Sequence, residues 1–311
     1  MSRKIEEQQF GGLWTVEKLE AVEKYLESFT TVMKNQNFTT VYIDAFAGSG
    51  VCKVGSKANH LELDGSAMRS LSIKNKFDKY FFVELKEENC EALKAIREKH
   101  SDIDVDIVKK DCNEFIKDIV QNKRYMSNEK RGVIFLDPFA MSVDWKTMEI
   151  IGRTGKLDTW YLFPISAVLR CAAHDRDKVL DEKLIRFFGT DQWKSWYENQ
   201  EESRTTEDVL TFCADRMREV FSTVSEPAIL KINNIPYYAL FFACSSKSPK
   251  ANEISQRIAK NILKNYENKK LANSVRTQIE KNQDKDKFAK KFAKQIEKNN
   301  SVGQPDIFGE L

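Results

Sequence analysis

Long apolar runs are missing from this sequence. The longest, such as Ala239-Leu-Phe-Phe-Ala-Cys244, fall far short of the ~20 residues that cross a bilayer, so no membrane-spanning helix is expected. The opening residues Met1 to Gln9 hold no apolar stretch and no small-residue cleavage site, which predicts a cytoplasmic protein. Histidine is scarce at three residues, and the six cysteines stand singly at 52, 90, 112, 171, 213 and 244. Without a Cys-x-x-Cys pair, neither a zinc ribbon nor a disulfide framework is suggested, and reduced, mostly buried thiols are expected. A Gly-x-x-x-x-Gly-Lys-Ser/Thr loop is also absent, which excludes a P-loop.

What is present is enough for one substantial core and a smaller subdomain: 311 residues, 41% apolar and 31% charged, with 20 phenylalanines. The net charge of +3 is unevenly spread. Lys247 to Lys298 carries 15 Lys/Arg against 6 Asp/Glu, a local +9 that leaves the remainder at about −6. Any basic face is therefore C-terminal. It would suit DNA or RNA through phosphate neutralisation, or it is a solvated helical surface whose Ile and Phe stripe docks on a protein.

Apolar positions at Val16, Leu19, Val22, Leu26, Phe29 and Val32 recur every three or four residues, the stripe of an N-terminal helix. Strands are expected at Val41 to Asp44, Tyr80 to Leu85, Val105 to Lys109, Val133 to Leu136 and Asp158 to Phe163. Helices between them are expected at Glu87 to Lys99, Asn113 to Val120 and Trp145 to Ile151, the last capped by Asp144. Val51 to Asp64 has no clear period, and Ser66 is placed to cap a short helix after it. The alternation predicts an α/β fold with a Rossmann-like, mostly parallel sheet. Ala228 to Ile232 and Tyr237 to Cys244, joined through Asn233-Asn-Ile-Pro236, predict a terminal antiparallel pair. The expected division is a helical segment at 1–40, a Rossmann-like core at 41–166, a helical insertion or lid at 167–226, final strands at 227–250 and a basic helical tail at 251–311.

Val41-Tyr-Ile-Asp-Ala-Phe-Ala-Gly-Ser-Gly50 is the most informative stretch, an apolar strand ending in an acid, an aromatic and a Gly-x-Gly turn. Such a turn brings backbone N–H groups close to a ligand. About ninety residues on, Gly132-Val-Ile-Phe-Leu-Asp-Pro-Phe139 delivers Asp-Pro-aromatic to the same sheet edge. Together they point to an S-adenosylmethionine (SAM) site. Asp44, Ala45, Phe46, Gly48 and Gly50 would receive the methionyl part, Glu84 the ribose hydroxyls, and Asp111 with Cys112 the adenine. The bland alternative is that these acids only cap the following helices. NAD is disfavoured, because no third glycine follows and Glu84 lies 34 residues beyond Gly50 rather than about 20.

Asp137-Pro138-Phe139 resembles the Asp/Asn-Pro-Pro-Tyr/Phe motif of enzymes that methylate exocyclic amines of nucleobases, with one proline where those have two. The acid and the Pro138 carbonyl would accept the amine's N–H groups while Phe139 stacks on the base; alternatively Pro138 merely ends the strand and Phe139 is simply core. Cytosine-5 chemistry is unlike this chain, which has no Pro-Cys pair. Lys18 is placed either to reach an anion at the sheet edge or to sit in solvent. His60 has no acid partner in sequence, and Trp193 with Trp196 suits packing or base stacking.

Taken together, Trp14-Thr-Val-Glu-Lys18 with Tyr25-Leu, Tyr42 to Gly50, Gly65-Ser-Ala67, and Phe135-Leu-Asp-Pro-Phe139 followed by Trp145 and Thr147 resemble the three-Cys-motif partner protein (TcmP) family over about residues 10 to 265. Ala67 stands where that family often has proline. The resemblance implies a methyltransferase-like fold and a companion protein with a three-cysteine, radical-SAM-like motif. Two functions therefore stand as expectations: a SAM-dependent methyltransferase of an exocyclic amine in nucleic acid or a nucleotide, or a non-catalytic or partner-dependent SAM-binding subunit.

Overall fold

The computed structural model describes residues 13–55, 60–122, 125–172, 178–194, 206–232 and 234–267. The first apolar stripe forms helix α1 (Leu13–Met33), which leads into strand β1 (Thr39–Asp44). Val51 to Asp64, which showed no period in the sequence, is a hairpin of β2 (Val51–Gly55) and β3 (His60–Asp64). Its alternation is too short to register, and of the side chains described there only Val54 is buried. The hairpin base is closed by Gly65 N–H donating to Gly50 O at 2.8 Å. Helix α2 (Ser66–Ser72) then begins with Gly65, not Ser66, at the cap position.

From there strand and helix alternate: β4 (Lys79–Glu84), α3 (Glu87–Lys99), β5 (Val105–Lys109), α4 (Cys112–Gln121), β6 (Lys130–Leu136), α5 (Trp145–Arg153) and β7 (Leu157–Phe163). Asp144 stands at the cap position of α5 but makes no capping hydrogen bond; its Oδ1 pairs with Arg186 Nε at 3.0 Å instead. Helices α6 (Ile165–Cys171), α7 (Lys178–Phe188) and α8 (Thr206–Arg218) follow. The described chain ends with β8 (Thr223–Val224), β9 (Ala228–Ile232), β10 (Ile235–Cys244) and α9 (Pro249–Glu267). The tail beyond 267, where most of the basic charge falls, lies outside the described residues, as does Trp196.

The main sheet runs β5-β4-β1-β6-β7-β10-β8, with β9 also on β10. The first five are parallel, and β10 is antiparallel to β7. Strand residues alternate between two apolar clusters. Val41, Ile43, Ile134, Leu136, Tyr161, Phe163 and Phe241 face one side, where α4 to α8 lie. Tyr42, Val133, Phe135, Trp160, Leu162 and Phe242 face the other, covered by α1, α2, α3 and α9. Leu184, Phe187, Phe188, Trp193, Leu210 and Met217 all belong to the first cluster. The stretch read as an insertion or lid therefore supplies a layer of the core, and Trp193, fully buried, is a packing residue. Each such large side chain contributes about 1.5–3 kcal/mol by leaving water.

Candidate functional site at the carboxyl edge of the sheet

All five parallel strands end on one edge, and the loops leaving β1 and β6 are neighbours there because those strands pair from Thr39↔Lys130 to Asp44↔Phe135. The β1 loop stays tied to both flanking strands: Ala45 N–H donates to Phe135 O and Ala47 N–H to Val83 O, each at 3.0 Å. The chain then turns through Gly48 and Gly50, both with positive φ. These glycines differ in purpose. A Cβ on Gly50 would sit 2.4 Å from Ile96 Cδ1, so Gly50 lets the turn press against α3, whereas a Cβ on Gly48 would meet nothing within 4 Å. Gly48 is the one that leaves room for a ligand.

A cavity of about 790 Å3 opens over this edge. Its walls include Phe46, Gly48, Ser66, Asp137, Pro138 and Phe139. The volume falls in the ~300–1,000 Å3 range of small-molecule sites. The structure thus brings together the glycine turn and the Asp-Pro-Phe segment, as their spacing predicted. Asp44 and Ala45 lie buried directly behind the wall, and Gly50 faces α3. Glu84, Asp111 and Cys112 are not among the lining residues. Glu84 Oε1 accepts the N–H groups of Leu85 and Lys86 at 2.8 Å each, and Asp111 Oδ1 caps α4 by accepting from Asn113 and Glu114. Cys112 is buried, which pushes its thiol up and makes it a poor nucleophile.

Asp44 is completely buried. Its Oδ1 receives a long hydrogen bond from Phe46 N–H at 3.4 Å, and its Oδ2 has no partner among the described residues. Burial, partly offset by the Ser66 hydroxyl, Phe46 N–H and Lys18 and reinforced by the Asp137 charge, pushes this carboxyl up to about 7. An orphaned buried oxygen costs about 1–3 kcal/mol, more if charged, and the Ser66 and Tyr42 hydroxyls are polar groups that act on this carboxyl. Thr15 Oγ1, on the cavity wall, is likewise buried without a partner among the described residues.

Lys18 is the residue the sequence under-weighted. A lysine in the second turn of a helix reads as solvated, yet its side chain is only 6% exposed and its Nζ bonds Asp137 Oδ2 at 2.5 Å, across 119 residues. It also lies 4.8 Å over the ring of Trp14, its neighbour one helical turn back. The segment after Asp137 is fixed by Asn113, whose Nδ2 donates to Ser142 O while its Oδ1 accepts from Asp144 N–H and the Thr147 hydroxyl. Between these anchors Ala140 adopts a left-handed φ of 54°, and Phe139 is 77% exposed. Strain of this kind persists only where its surroundings enforce it. Phe139 is not core; it is held out at the mouth. The side chain of His60 lies outside the described residues.

The strand order, with five parallel strands and an antiparallel β10 between β7 and β8, is that of the Rossmann-like SAM-methyltransferase sheet. No protein-family model and no curated protein matches the chain. Among solved structures, protein LPL1258 from Legionella pneumophila is similar, with 13% identity and a TM-score of 0.46 over 81% of this chain and 93% of that one. Magnesium protoporphyrin IX methyltransferase from Synechocystis, solved with bound SAM, aligns at 9% identity and a TM-score of 0.35 over 74% and 81% of the two chains. The bifunctional kinase-methyltransferase WbdD aligns at 10% identity and a TM-score of 0.41, covering 74% of this chain and 39% of that one.

The residues present fit SAM. The left-handed turn at Gly48 leaves open space at the wall, and the buried Asp44 carboxyl behind it, its Oδ2 unpartnered among the described residues, places an acid toward a cationic amino-acid head.

Proposed function

We propose that this protein is a SAM-dependent methyltransferase acting on an exocyclic amine of a nucleobase. The observation that carries the reading is that Asp137-Pro138-Phe139 and the Gly48 turn line one cavity, with Phe139 displayed at its mouth. Bound SAM would supply the electrophilic methyl group on its sulfonium. The chain's own work is positioning. Lys18 holds Asp137 through Oδ2 and leaves Oδ1 as acceptor for an amine N–H; the Pro138 carbonyl is the second acceptor. As the amine gains positive charge in the transition state, the Asp137 carboxylate stabilises it. Phe139 stacks on the base.

Calorimetric titration with SAM, followed by transfer of labelled methyl to single-stranded DNA and RNA, tests this. Saturable SAM binding is expected, weakened in Gly48→Ala, which puts a methyl into the open wall and a side chain on a left-handed φ. Absence of SAM binding would remove the reading.

A second reading is favoured by one observation. Asp137-Pro138-Phe139 has one proline where the amine methyltransferases it resembles have two, which suits a non-catalytic or partner-dependent SAM-binding subunit working with a companion such as the three-cysteine protein implied by the TcmP resemblance. Transfer that appears only when such a companion is added would support it. In either case the basic residues beyond 267 are proposed to add affinity for nucleic acid.

A further inference from the structure

Strand β10 is longer than its partner. Ala239 pairs with Phe163, the last residue of β7, so residues 235–238 run past the carboxyl edge of the sheet, paired only with β9. Within this overhang the register shifts between Pro236 and Tyr238, which leaves Tyr237 as an extra residue in the ladder. In a regular strand consecutive side chains point to opposite faces; a bulge re-aims one of them. Here both Tyr237 and Tyr238 line the cavity. Their rings lie 4.9 Å apart, and Tyr238 lies 4.9 Å from Trp14, so α1 and β10 together build a continuous aromatic wall. None of the three rings is fully buried. The exposed Arg170 at the end of α6 lines the same cavity, and its charge acts on the Tyr238 hydroxyl.

A target base needs one stacking face and one pair of amine acceptors, which Phe139 and Asp137-Pro138 already supply. The aromatic wall is surplus to that need. We propose that Tyr237, backed by Tyr238 and Trp14, is a second stacking station for the nucleobase next to the target, with Arg170 on a neighbouring phosphate. The substrate is then a single-stranded stretch of nucleic acid, not a free nucleotide. This rests on the reading above that Phe139 receives the target base. Aromatic stations of this kind tolerate any base, because every base offers a π face, and each typically changes affinity by about ten-fold or more on removal.

The test uses the full chain and single-stranded octamers, DNA and RNA, with one 2-aminopurine beside a central adenine, alongside AMP as the mononucleotide. Fluorescence quenching reports stacking without any need for turnover, and calorimetry reports SAM binding separately. Tyr237→Ala is expected to weaken octamer binding about ten-fold or more while leaving AMP and SAM binding unchanged; Tyr237→Phe, which still stacks, restores the octamer. Phe139→Ala weakens octamer and AMP alike. Arg170→Gln lowers the salt slope of octamer binding by about one. Equal loss of octamer and AMP in Tyr237→Ala, or no loss of either, would overturn the station, as would failure of the wild-type chain to bind octamers. Octamer stacking without SAM binding would keep the station and remove the methyltransferase reading instead.

Discussion

Two buried aspartates sit at opposite edges of the same sheet, and their surroundings differ. Asp158, near the start of β7, is 6% exposed and accepts from the Tyr25 hydroxyl at 2.6 Å and the Ser255 hydroxyl at 3.2 Å. It ties α1 and α9 to the sheet. Asp44, at the end of β1, is fully buried with one oxygen unpartnered among the described residues. Burial raises both carboxyls above the ordinary range. At the amino edge the chain satisfies its buried acid and gains a latch; at the carboxyl edge it leaves one unsatisfied beside a cavity. The second arrangement costs stability, as buried polar groups kept beside a functional cavity do.

The comparison breaks most sharply at Asp137, the other acid of the carboxyl edge. Removing it outright would strand the buried Lys18 ammonium, so Asp137→Asn is the cleaner variant. It is expected to lower methyl transfer by about 10²–10³-fold while SAM binding, measured by calorimetry, persists. Unchanged turnover would remove Asp137 from the chemistry. At the amino edge, Tyr25→Phe is expected to cost about 1–3 kcal/mol in urea unfolding without changing SAM affinity, because it loosens only the Asp158 latch.

Asp44 adds a pH signature. Its folded value of about 7 lies above the 3.8 of the free group, so between these the folded state keeps a proton that the unfolded chain releases. Stability from this group therefore falls as pH rises from about 4 to about 7 and is level above. Asp44→Asn removes that slope, so unfolding midpoints at pH 5 and pH 8 should move in favour of the variant at pH 8. A cationic ligand favours the ionised form, so affinity for SAM should rise with pH through about 7 in the wild type and not in the variant. The smallest effect is expected at Lys178, 90% exposed and 3.8 Å from Glu182: Lys178→Ala should leave both midpoint and binding unchanged.

Local patterns were legible where local physics decides. Helix α3 and strand β5 fall at Glu87–Lys99 and Val105–Lys109, as the periodicity predicts, because a 3.6- or 2-residue repeat of apolar side chains records which face is buried. The glycine turn and Asp137-Pro138-Phe139 were legible as strand-end segments of one sheet edge. The hairpin at 51–64 was not, since two five-residue strands carry too few alternations. Lys18 was under-weighted because a buried lysine is recognisable only once its partner, 119 residues away, is in place. Tyr237 and Tyr238 escaped because a bulge has no sequence signature when no glycine marks it.

The sequence by itself determined the alternation of strands and helices from β4 to β7, the acids and glycines at strand ends, and the exclusion of a P-loop and a zinc ribbon. These follow from side-chain periodicity and from residue types that turn the chain. Only the tertiary structure decided which residues meet: Trp14, Lys18, Gly48, Asp137, Arg170 and Tyr237 line one cavity because the pairing of β1 with β6, and of β10 with β7, carries distant segments to a common edge. Burial, the orphaned oxygen of Asp44 and the exposure of Phe139 are properties of that packing, set by long-range contacts that no local pattern encodes.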